Sequence, residues 1–183
     1  MKWVATVVNS GLHTIDRRHR LSHLEMVDSA DIARFKQLGV IADFQVAGDF
    51  TKPENRSDFH ASIGQNRASR LIPLGELHRS GARVTLSSDW DVSSINPFVG
   101  IENSLTRGSD GLPDLDSAIR AYTINAAYAM KQDDIVGSIE VGKEADLIVI
   151  DRDLTAIPAT QVSQAKVLLT LLAGEAVFQA SGF

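Results

Sequence analysis

Apolar and polar positions along the chain alternate between short β-like runs and amphipathic stretches. Residues 3–8 form the first β-rich run, stopped by Asn9-Ser10-Gly11. A brief second run, Leu21-Ser22-His23-Leu24, follows a basic cluster at residues 16–20. Residues 29–38 then place Ile32, Phe35 and Leu38 at helical spacing and stop at Gly39. That pattern predicts an amphipathic helix with an Asp28 or Ser29 N-cap and a glycine C-cap. Residues 39–45 read as a strand, and residues 46–66 as a long polar loop of the kind that often forms a lid. Residues 70–80 repeat the helical signal through Leu71, Leu74 and Leu77, and residues 82–86 repeat the strand. The order β-α-β-α-β argues for an α/β fold, and right-handed crossovers make its strands parallel.

Beyond Pro97 the pattern changes. Residues 98–106 read as a helix, 108–113 as a turn, and 115–130 as the longest helix, capped by Asp114 or Asp116. Residues 137–143 form a glycine-bounded connector in which Lys143 reads as a solvated turn residue. Residues 145–150 predict a buried strand, and residues 167–179 a hairpin.

A chain of 183 residues predicts one domain, or one domain with a small appendage. The formal net charge of −5 and the lack of a basic stripe argue against a general nucleic-acid binder. Without cysteine, any metal must use histidine and carboxylate ligands. No apolar run approaches the roughly 20 residues that span a bilayer. Residues 3–8 also fall short of a signal-peptide core, so the expected location is cytoplasmic.

Candidate chemistry concentrates in residues 84–97. There Val84-Thr85-Leu86 runs directly into Ser87-Ser88-Asp89, as a buried parallel strand does when it ends in a polar loop. In α/β folds, reactive groups sit at such C-terminal strand ends, and Asp89 is the first carboxylate to emerge. The pattern alone favours reading Asp89 as a turn or cap residue. His23, at the end of its own short run, is readable as a hydrogen-bonded strand-end histidine or as a metal ligand. Asp43 and Gln45 close the middle strand; Gln45 could face a substrate, and Asp43 reads equally well as a loop-side residue. Ser87-Ser88 lacks the frame of a serine nucleophile.

Three stretches resemble the C-terminal part of metal-dependent amidohydrolases, in the large subgroup that includes N-substituted formamide deformylases. They are Arg17-Arg18-His19-Arg20-Leu21-Ser22-His23-Leu24-Glu25, residues 81–89, and residues 121–151, the last being the most specific. The likeness runs over roughly residues 16–179. It implies a (β/α)₈ barrel flanked by a small β-sandwich. This chain would then be a partial TIM barrel, its last three βα units, in residues 1–144, with strands of the sandwich in residues 145–183. It also implies that His23 and Asp89 bind a divalent metal, zinc, and that Asp89 is catalytic as the proton carrier. The implied activity is hydrolysis of a non-peptide carbon–nitrogen bond in a small amide-type substrate, with no membrane or nucleic-acid partner.

The departures from that pattern are specific. No His-x-His occurs, the strand-four ligand is absent, and only Leu12-His13-Thr14-Ile15-Asp16 resembles the strand-five motif. Ser22 stands where the family has glutamate, and Ser87 where it has glycine. Three of eight strands cannot close a barrel, because strand number, tilt and shear are linked. The alternative reading is therefore a catalytically silent segment, or a module whose open sheet edges are covered by an oligomer contact or a partner chain.

Overall fold

The fold comes from a computed structural model that describes residues 16–48 and 52–183. The expected strand at residues 3–8, and His13, lie outside the described residues. Strand β1 is Arg20–Leu21, helix α1 Ser29–Leu38 and strand β2 Ile41–Gln45. A 3₁₀ turn at Pro53–Phe59 and two single-turn helices, α2 at His60–Ile63 and α3 at Gln65–Ala68, lead to α4 at Leu74–Arg79 and β3 at Val84–Ser87. The three strands form one parallel sheet in the order β1-β2-β3. Helix α5 is Pro97–Leu105, α6 Leu115–Tyr122 and α7 Ile124–Ala129. Strands β4 (Leu147–Ile150), β5 (Val167–Leu172) and β6 (Glu175–Gln179) make a second, antiparallel sheet.

Local chemistry accounts for each boundary. The Asp28 carboxylate accepts from the Ala30 N–H at the start of α1, and Gly39 closes the helix at φ 62°. β1 stops short of His23 because His23 and Leu24 adopt φ 74° and 59°, which extended backbone excludes. The second helix begins at Leu74 rather than Arg70, after Ile72 at φ 55° and Pro73. Residues 46–66 are not one open loop: Pro53 presets the 3₁₀ turn and Gly64 at φ 78° separates α2 from α3. Arg56 ties that segment down, donating to the carbonyls of Ser69 (3.1 Å) and Leu71 (2.6 Å). The expected long helix at 115–130 is broken at Thr123 (φ −114°, ψ −98°), whose hydroxyl bonds back to the Ile119 carbonyl at 2.8 Å.

Strand alternation sorts β2 and β3 into two faces. Register pairs Ala42 with Val84, Asp43 with Thr85, Phe44 with Leu86 and Gln45 with Ser87. Ala42, Phe44, Val84 and Leu86 join Phe35, Leu74, Leu77 and Ala118 in the main core. Asp43, Gln45, Thr85 and Ser87 therefore share the opposite face.

β4 is not a buried strand: Ile148 and Val149 are 51% and 40% exposed. Ile150 and Val167 pack against the main core, while the rest of this sheet lies open. The 3₁₀ turn at Ala159–Gln164 sends Val162 back into that core, and Glu102 on α5 accepts from the Ser163 N–H at 2.8 Å.

Just before β1 and β3, the guanidinium groups of Arg18 and Arg83 lie 3.9 and 3.8 Å from the centroid of the Tyr128 ring. Arg18 also donates to the Tyr128 carbonyl and to Asp133, holding α7 against the entry to the sheet.

Candidate functional site

Parallel strands end on the same edge of a sheet. His23 stands two residues beyond the end of β1, and Asp89 two residues beyond the end of β3. Both sequence-predicted site residues therefore emerge at one rim, with β2 between them. Both also have positive φ, 74° at His23 and 50° at Asp89, which turns each side chain out of the strand alternation. The His23 ring is half exposed, and its Nδ1 lies 3.3 Å from Oε1 of Glu25. That contact leaves Nε2 as its outward nitrogen. Asp89 is exposed, and its carbonyl accepts from the Val92 N–H at 2.7 Å in the turn that follows.

The polar face of β2 and β3 leads to this rim. Asp43 is a buried strand residue, not a loop-side one: it is 3% exposed, and its Oδ1 accepts from the Thr85 hydroxyl at 2.9 Å. Arg20 Nε lies 4.0 Å from its other oxygen. One step nearer the rim, the register-paired Gln45 and Ser87 keep a side-chain oxygen each buried with no hydrogen-bond partner. Sequence reasoning passed over the Asp43–Thr85 pair because a carboxylate inside a three-residue apolar context gives no sign of its partner 42 positions away.

One neighbouring assignment is also corrected. Lys143 is not a solvated turn residue: its ammonium donates to the Asp133 carbonyl and the Ser138 hydroxyl, both at 2.6 Å. Asn125 donates to the Val84 carbonyl at 2.9 Å and so fastens α7 to β3.

Among the described residues, no group of three or more histidine and carboxylate side chains is close enough to hold a metal. An imidazole nitrogen and a carboxylate suit zinc in kind. In number, two donors fall below the three protein ligands usual for catalytic zinc.

Tyr122, on α6, packs its hydroxyl against Gly100, buried and without a partner. Burial first, and the charge of Asp43 second, push its pKa up to about 12. A folded-state pKa above the unfolded one means the native phenol keeps a proton that the unfolded chain releases. Its contribution is therefore complete below pH 10 and lost as pH rises to about 12. Tyr122→Phe should abolish that alkaline loss and, by removing an unsatisfied hydroxyl, gain about 1 kcal/mol at pH 7. Arg107, pushed down to about 10 by burial, titrates in the same window with the opposite sign. It cancels when urea unfolding of the two proteins is compared at each pH. An unchanged alkaline profile in the variant would show that Tyr122 is not the group responsible.

A family model described as the amidohydrolase family matches residues 5–178. An N-substituted formamide deformylase of Arthrobacter pascens is 28% identical over 174 residues, 89% of this chain and 31% of the relative. A putative amidohydrolase of Bacillus subtilis is 26% identical over 180 residues, covering 90% of this chain and 33% of its own length. The chain thus spans about a third of the curated relatives it matches. Among solved structures, an uncharacterised metal-dependent hydrolase from Pyrococcus furiosus superposes with a TM-score of 0.64 at 23% identity, over 83% of this chain and 32% of that one. A zinc-bound adenosine deaminase from Xanthomonas campestris gives 0.65 at 21%, over 96% and 42%.

Proposed function

This chain belongs to the amidohydrolase family, and on that premise we propose that it is the C-terminal segment of a metal-dependent hydrolase of non-peptide carbon–nitrogen bonds. One observation supports this most: His23 and Asp89 leave two strands of one parallel sheet at the same rim. In this reading β1, β2 and β3 are the last three strands of a (β/α)₈ barrel, within residues 1–144. The antiparallel sheet in residues 145–183 is then part of the flanking β-sandwich. The substrate is a small amide-type molecule.

His23 would hold a divalent metal, zinc in our reading, through Nε2, its Nδ1 being oriented by Glu25. Asp89 would be the second donor. Such an ion supplies Lewis acidity and brings the pKa of a water down to about 7. The Asp89 carboxylate takes a proton from the attacking water and hands it to the departing nitrogen.

Calorimetric titration with zinc tests the assignment. Asp89→Asn and His23→Gln should each weaken zinc binding by about tenfold or more. Equal affinity in both variants and in the parent would remove the basis for the site.

A second reading rests on the two-donor set and on the outer edges of β1 and β3, which are unpaired among the described residues. In it the segment is silent alone and is completed by a partner chain or a second copy. Sedimentation of the pure chain decides: a monomer that melts cooperatively counts against it.

A further inference from the structure

A separate pocket of 320 Å³ is walled by Arg56, Arg70 and Arg79, together with Glu76 and Asp110. None of these residues is among those assigned above to the His23–Asp89 site. The three arginines come from three segments: the 3₁₀ turn at Pro53–Phe59, the stretch before α4, and the last turn of α4.

Their positive charge is incompletely matched. Arg56 is fixed by Asp110 Oδ2 at 2.7 Å and by two backbone carbonyls, yet its Nε is buried without a partner. Arg79 donates to a neutral group, the Ser109 carbonyl, at 2.8 Å. Arg70 meets Glu76 at 3.3 Å, with both side chains 42% exposed, so solvent screens that pair. Arg107, close enough to Arg56 for their charges to repel, is 4% exposed, and all three of its guanidinium nitrogens lack partners. Arg107 is not a wall of this pocket, but its charge adds to the positive field that an anion held beside Arg56 would meet.

Guanidinium groups bind oxyanions through forked N–H donors. A planar carboxylate matches one such fork. A tetrahedral oxyanion accepts from several directions at once, which suits arginines arriving from three segments. We propose that this pocket binds a phosphate group, free or as the ester of a small molecule.

Thermal unfolding and calorimetry of the full chain test this, with potassium phosphate and glycerol phosphate each compared with potassium chloride at matched ionic strength. Phosphate is expected to raise the midpoint in a saturable way, and Arg79→Gln to weaken the affinity at least tenfold. Arg70→Gln, at an exposed position with little effect on folding, gives the same comparison if the first variant unfolds. Tighter binding of glycerol phosphate identifies an ester as the ligand, and tighter binding of inorganic phosphate the free ion; either result supports the site. No rise beyond that in chloride, or an equal rise in both variants, overturns it. Asp89→Asn should bind phosphate as the parent does, so a failure at the rim leaves this pocket's test intact.

Discussion

Phe44→Ala is expected to lower the unfolding free energy by about 3–5 kcal/mol, the range for emptying a large aromatic from a packed core. Phe44 is fully buried in β2, the middle strand of the parallel sheet. Strand alternation points it into the cluster formed with Leu74, Leu77, Val84 and Leu86. Helices on that side and strands on both flanks restrict collapse into the vacated space. Urea unfolding followed by circular dichroism measures the loss. A cost below about 1 kcal/mol would mean that this face is not the close-packed one.

Gly75→Ala should cost about 2 kcal/mol or more, from overpacking rather than loss of contacts. A Cβ at Gly75 would stand 2.6 Å from the Gly111 carbonyl oxygen and 2.8 Å from that of Ser109. Both are backbone atoms of the turn after α5, so neither can swing aside as a side-chain tip would. Gly75 is buried in the first turn of α4, where alanine would otherwise be favoured. The substitution thus sets a propensity gain of about 1 kcal/mol against steric exclusion, and the clash is expected to win. A stabilised variant in the same urea assay would show that α4 lies farther from the 108–111 turn.

The strands β2 and β3 and the first helix were legible because their signals are local. Asp28, the Ile32/Phe35/Leu38 spacing and Gly39 define α1 within twelve residues, and the run 82–89 shows a strand and its polar exit directly. His23 and Asp89 were legible only through a resemblance, since a lone histidine and a lone aspartate have many local uses. What stayed hidden depended on contacts between distant positions. The segment 46–66 read as polar and irregular because its order comes from Arg56 reaching Ser69, Leu71 and Asp110. The break at Thr123 was masked by an apolar period that continues across it. The exposure of β4 could not be read from Leu147-Ile148-Val149-Ile150, because an apolar run does not say how many of its faces will be covered.

The central claim is that one imidazole and one carboxylate, 66 residues apart, serve the same ion. Proton NMR of the chain loaded with cobalt(II) addresses it directly, because only a histidine bound to the paramagnetic ion shows a strongly shifted ring N–H. The account predicts one such signal, absent in His23→Gln and lost at equal cobalt concentration in Asp89→Asn. A shifted signal that survives His23→Gln, or cobalt binding indifferent to Asp89→Asn, would contradict it.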